Sequence, residues 1–188
     1  MKKLAALILT GVMALGCVGT AFAAETKVSV DGVPVAFTDA KPFVDENGRT
    51  MVPLRPIANA MGLEVAWDAE MQTAAFTMDL PNAVLENPEN VDNFLGIADF
   101  LRYGKDMGFD QISATAFFTI GESDYYAVFS GMWENGEPFA EGAGVFPMDT
   151  VPVVKDGRTY APARYLAEAF GYDVGWNGAT STVIISNK

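Results

Sequence analysis

Apolar and polar positions alternate with two periods along this chain, and each change of period marks an element. From Lys27 to Phe37 valines alternate around Asp31-Gly32, a pair that tolerates positive φ, and this predicts a hairpin. Pro42-Phe43-Val44 and Thr50-Met51-Val52 read as short strands across the turn Glu46-Asn47-Gly48. Pro53 suits a helix start, where its missing N–H costs little. Ile57, Ala58, Ala60 and Met61 then supply the apolar positions of a helix that Gly62 ends as a C′ residue. Pro56 predicts that this helix begins later than Pro53 alone suggests. In Leu63 to Trp67 the period returns to two, which puts Val65 and Trp67 on one face and predicts core packing for the tryptophan. A strand from Thr73 to Met78 follows.

The same succession returns in a constant register of 109 residues. Gly48-Arg49-Thr50-Met51-Val52-Pro53-Leu54-Arg55 recurs as Gly157-Arg158-Thr159-Tyr160-Ala161-Pro162-Ala163-Arg164. The register holds through Gly62/Gly171, Val65/Val174, Trp67/Trp176 and Thr73/Thr182, with 11 of 29 positions identical from Gly48 to Phe76. The second copy therefore predicts strands at 151–154 and 159–161 around Lys155-Asp156-Gly157, a helix stopped by Gly171, and a last strand from Thr182 to Ser186. Two copies make a duplicated unit, since a solenoid needs at least three. Helices of about nine residues are not stable alone and must pack on a sheet. The expected class is α+β: antiparallel sheets packed on short helices, built from a duplicated hairpin-helix-hairpin unit with halves at about 28–78 and 149–186.

Between the halves lies an insert at about 79–147. Asn87 and Pro88 form an N-cap and N1 pair, and Val91, Phe94, Leu95, Ala98 and Leu101 follow helical spacing, which predicts an amphipathic helix from Pro88 to Tyr103. Two strands follow, Ile112 to Ile120 and Tyr125 to Trp133, joined by Gly121-Glu122-Ser123-Asp124, and a third runs from Pro138 to Phe146. The inserted piece is thus a helix plus strands.

The first residues read as a leader. Lys2 and Lys3 precede an apolar run from Leu4 to Gly19, and Ala21-Phe22-Ala23 supplies small residues for cleavage, so 1–23 is expected to be a signal peptide and 24–188 a single secreted domain. The run is short for a hydrocarbon core of about 30 Å. No second apolar span follows, so no membrane span is expected after cleavage. A competing reading takes Ala14-Leu15-Gly16-Cys17 as a lipoprotein box with lipid on Cys17. In both readings disulfides are excluded, because Cys17 is the one cysteine.

Composition then removes whole classes of chemistry. The chain has no histidine, which excludes Ser-His-Asp triads, Cys-His dyads and His-ligated metals. Its net charge of −12 argues against nucleic acid and against direct attraction to anionic lipid or wall polymer. The acidity is uneven: from Thr77 to Pro147 twelve of the 24 carboxylates face only Arg102 and Lys105.

The doubled pattern N/D-G-R-T-x-x-P-x-R, a short helix ending in Gly, then V-x-W-D/N, resembles the copper amine oxidase N-terminal domain family, also called stalk domains. Val28-Ser29-Val30-Asp31-Gly32-Val33-Pro34-Val35 resembles the family's opening as well. The resemblance implies an α+β module found in secreted and surface proteins of Gram-positive bacteria, in which an antiparallel sheet wraps short helices. It covers about Val28 to Met78 and Asp149 to Ile185. Family members usually join their halves by a short strand-turn-strand, and the long insert departs from that. Copper and amine oxidation belong to a separate histidine-bearing domain, so the resemblance implies the accessory module without the enzyme: no catalytic residue, no metal, no cofactor.

Several side chains remain to be placed. Tyr125, Tyr126 and Trp133 are the candidate ligand-binding residues, since rings beside carboxylates are how sugar sites are made; the competing reading has the insert's alternate aromatics filling a sheet core. Arg49/Arg158 and Arg55/Arg164 read as partners of backbone carbonyls and local carboxylates, with anion binding as the alternative. The expected function is a non-catalytic cell-envelope binding or structural module, with wall polysaccharide or another envelope protein as partner. The alternatives are a wall-glycan hydrolase drawing acids from Asp110, Glu122, Asp124 and Glu134, or an extracellular module holding a small ligand or peptide between its halves.

Overall fold

The computed structural model describes residues 25–80, 109–133 and 135–187. The leader, the helix expected from Pro88 to Tyr103 and the lipid-box cysteine lie outside the described residues. Thirteen strands and two helices appear among those described. In chain order they are β1 (Lys27–Val30), β2 (Val33–Pro34), β3 (Phe43–Val44), β4 (Thr50–Pro53), α1 (Leu54–Ala60), β5 (Glu64–Asp68) and β6 (Thr73–Leu80). Then come β7 (Phe109–Thr119), β8 (Asp124–Trp133), β9 (Pro138–Pro147), β10 (Val153–Lys155), β11 (Arg158–Pro162), α2 (Ala163–Glu168), β12 (Asp173–Asn177) and β13 (Thr182–Ser186). The fold is α+β, with three sheets and two short helices.

The sheet that pairs corresponding strands of the two halves has the order β10-β11-β4-β3. Val52 of β4 lies opposite Ala161 of β11, and these residues are 109 apart in sequence. Their neighbours cross over, Tyr160 opposite Pro53 and Pro162 opposite Met51, so the pairing is symmetric about the Val52–Ala161 pair. Both residues are fully buried. Two-residue turns at Asp31-Gly32 and Asp156-Gly157 carry φ values of 49° and 78°, and 51° and 70°. These are the left-handed pairs that suit the twist of tight hairpins.

Both helices begin in the same register and are closed by hydrogen bonds in the same register, although α2 is one residue shorter than α1. Pro53 and Pro162 occupy the N-cap positions in extended conformation. Pro56 does not delay α1, contrary to the sequence expectation. It sits in the first turn, where the backbone N–H it lacks would have no partner within the helix. At the other end Leu63 N donates to Ala58 O and Gly62 N to Asn59 O, while Tyr172 N donates to Ala167 O and Gly171 N to Glu168 O. This is a Schellman closure with Gly62 at φ 73° and Gly171 at φ 78°. A Cβ on Gly62 would meet nothing within 4 Å, so the cost of Gly62→Ala is conformational alone. We expect it to lower stability by about 1 kcal/mol in urea unfolding, and an unchanged midpoint would refute the left-handed closure.

The other two sheets differ where the halves differ. One has the order β12-β13-β1-β2 and the other β5-β6-β7-β8-β9. In sequence register β6 corresponds to β13; the neighbour of β13 is the N-terminal hairpin, whereas that of β6 is the long β7-β8-β9 meander. β1 pairs with β13 in parallel, a departure from the expected all-antiparallel arrangement. Parallel neighbours need a long connection, and here nearly the whole chain separates the two strands. The five-stranded sheet is antiparallel throughout, with β6 and β7 paired from Thr73/Thr119 to Leu80/Ile112. One apolar cluster joins all this: Ile57 and Leu166 of the helices meet Phe76, Phe118, Tyr125, Phe129, Val28 and Ile185 of the sheets.

Candidate functional site

The aromatics proposed from sequence do not converge. Tyr125 is buried, its ring stacked between Phe118 at 5.1 Å and Phe146 at 5.0 Å. Tyr126, next along β8, points to the other face, as strand geometry requires, and is 44% exposed. Trp133 lies half-buried at the far end of the strand, tilted against Phe139 at 5.2 Å. Glu122 and Asp124 are exposed around the β7–β8 turn, and the side chains of Asp110 and Glu134 lie outside the described residues.

Two other tryptophans correct the sequence reading. Trp67 and Trp176, expected in the core, are 41% and 55% exposed, while Val65 and Val174 pack against the core as expected. Helix length accounts for this. α1 spans about 10 Å, and β5, returning after the Gly62-Leu63 link, has run about 10 Å by Trp67. The indole therefore reaches the level where the helix starts, beyond its cover. α2, with six residues and about 9 Å of length, falls short of Trp176 in the same way.

Each indole borders a groove. The first, about 570 Å³, is lined by Trp67, Val65, Arg55 and Asn59 of the first half and by Arg158 and Thr159 of the second. The other, about 440 Å³, is lined by Trp176, Val174, Arg164 and Tyr165 of the second half and by Arg49 and Thr50 of the first. Thus each half lends its hairpin arginine to the groove of the other half. Four of the chain's five arginines line these two grooves, in a protein of net charge −12.

The hairpin arginines are held by carboxylates, but not by the carboxylates nearest in sequence. Arg158 donates through Nε and Nη2 to Asp39 Oδ2 at 2.9 and 2.7 Å. Arg49 Nε donates to Asp149 Oδ2 at 2.7 Å, and its Nη2 also pairs with that carboxylate. Asp45, four residues from Arg49, instead accepts the backbone N–H groups of Asn47 and Arg49 at 3.0 and 2.7 Å and closes its own hairpin. The side-chain hydrogen bond from Arg158 holds Asp39 below the usual carboxylate range, and that from Arg49 does the same for Asp149. Such exposed pairs contribute little stability, so their effect here is to fix guanidinium positions across the halves.

The helix arginines differ from each other. Arg164 faces Glu168 at 3.8 Å, one helical turn on. Arg55 has Asn59 at that place and is exposed, with no ion pair or side-chain hydrogen bond among the described residues. No cluster of three or more metal-ligating side chains occurs among the described residues, and none of their helices is long and apolar enough to cross a membrane.

The sequence carried one signal for these grooves. Seven buried pairs at 109-residue spacing differ in identity, among them Leu54/Ala163, Met61/Phe170 and Phe76/Ile185. The solvent-reaching Arg49/Arg158, Arg55/Arg164 and Trp67/Trp176 are identical. A search of the curated proteins and of the solved structures finds no match. The family model described as copper amine oxidase N-terminal domain matches residues 29–91 and 113–187, most of the chain. The chain belongs to the copper amine oxidase N-terminal domain family, the non-catalytic domain of those proteins.

Proposed function

We infer that this domain is a secreted binding module of the cell envelope, built from a duplicated unit and contacting wall material through the two grooves between its halves. The observation that carries the reading is the identity of solvent-reaching tryptophan and arginine in both halves where buried partners have changed. Packing alone gives no reason to keep an exposed indole and guanidinium while core volumes drift; ligand contact does. The location of both grooves at the junction of the halves also favours the small-ligand alternative of the sequence reading over the hydrolase, whose candidate turn acids line neither groove. Tyr126 and Trp133 add ring surface on the meander, where the acidity of the chain is concentrated.

Sedimentation with purified cell wall tests this. The wild-type protein is expected to pellet with the wall and to release no reducing ends from it. The double variant Trp67→Ala, Trp176→Ala is expected to bind at least about tenfold more weakly with its unfolding midpoint little changed, because both residues are exposed. Wild-type protein that stays wholly in the supernatant refutes the reading, and release of reducing ends would return the hydrolase to first place.

A further inference from the structure

The two grooves share a frame but not a charge state, and that difference indicates a ligand class. Groove one is lined by the Trp67 indole and by the Arg55 guanidinium, which has no ion pair or side-chain hydrogen bond among the described residues. Its remaining polar wall is Asn59, Thr159 and the Arg158–Asp39 pair. In groove two the corresponding Arg164 faces Glu168, Arg49 is tied to Asp149, and Tyr165 Oη accepts the backbone N–H of Asp149. We propose that groove one binds a sugar residue bearing a carboxylate, its ring against Trp67 and its carboxylate on Arg55, and that groove two is a weaker copy. The proposal rests on the wall-binding reading and narrows it to an acidic glycan.

The chemistry selects this ligand in three steps. An exposed indole offers a flat apolar face of the size of one sugar ring, and its quadrupole suits C–H groups. A guanidinium without a protein carboxylate presents parallel donors that match a carboxylate in bidentate fashion. The amide of Asn59, the hydroxyl of Thr159 and the carboxylate of Asp39 mix donors and acceptors as hydroxyl-rich ligands require. The net charge of −12 does not oppose this locally. Among the lining residues Asp39 is the one carboxylate and is tied to Arg158, and screening limits the reach of more distant charges to about 8 Å at physiological ionic strength.

Trigalacturonate, its neutral galactose counterpart and a glutamate-rich peptide are the probes, titrated into the full-length secreted protein with tryptophan emission and calorimetry as readouts. Trigalacturonate is expected to bind and the neutral sugar at least about tenfold more weakly, with no need for divalent cation. Arg55→Ala should weaken the acidic sugar by at least about tenfold, and Arg55→Lys by less, since charge remains but the fork is lost. Arg164→Ala should cost about threefold or less, because Glu168 already faces that guanidinium. Equal losses at Arg55 and Arg164, preference for the peptide, or indifference to the carboxylate would each overturn the proposal. Retained wall sedimentation by Arg55→Ala without any binding of trigalacturonate by wild type would overturn it while leaving the wall-binding reading standing. Failure of wild type to sediment removes that reading itself.

Discussion

Phe118→Ala is expected to destabilise the entire domain by about 3–5 kcal/mol, in a single cooperative transition. Phe118 belongs to β7, in the segment that has no counterpart in the second half, yet it is fully buried. Its ring meets Phe76 of β6 edge-on at 5.8 Å and stacks on Tyr125 of β8 at 5.1 Å. Both rings belong to the same cluster as Ile57, Leu166 and Ile185, so the cavity left by Ala would open in the shared core. Domains of this size carry about 5–15 kcal/mol in all, which makes the loss a large fraction of the total. Urea unfolding followed by far-UV dichroism and by tryptophan emission should give coincident curves shifted together. Two separated transitions, with only the first moved by Phe118→Ala, would mean that the meander is an appendage and that the single-domain reading is wrong.

This dependence explains which parts of the fold the sequence declares. Turns were legible because their chemistry is local: Asp31-Gly32, Asp156-Gly157, Gly62 and Gly171 all sit at positive φ, as their residue types demand. In the meander β8 and β9 begin and end within a residue of the expected bounds, whereas β7 begins at Phe109, three residues before the expected Ile112. What was not legible depends on reach across the fold. Alternation placed Val65 and Trp67 on one face but carried no information on how far a seven-residue helix covers that face. Arg49 has Asp45 close by in sequence, yet the hairpin uses Asp45 for its own backbone and leaves Arg49 to Asp149 of the other half. Strand character at Lys27–Val30 likewise left open its partner, which is the last strand of the chain. In β8 both faces carry tyrosine, so period two alone did not choose between Tyr125 and Tyr126 for the interior.

That choice has a consequence at alkaline pH. Burial pushes the Tyr125 phenol up to about 12, with the nearby Glu168 and Tyr165 acting in the same direction. In the unfolded chain the phenol titrates near its ordinary value of about 10. The folded state therefore holds its proton more tightly, and the resulting stability is present below about pH 10 and is lost as pH rises through about 12. Two pK units correspond to about 2–3 kcal/mol. Tyr160 and Tyr172 are also raised by burial and add to the same alkaline loss. Tyr125→Phe keeps the ring between Phe118 and Phe146 and removes only the ionisable group, so at neutral pH its stability should lie within about 1 kcal/mol of wild type. Urea midpoints measured from pH 8 to 12 should then diverge, with wild type falling faster than the variant by about that amount. Parallel curves up to pH 12 would place the Tyr125 hydroxyl in water and contradict its interior position in the sheet.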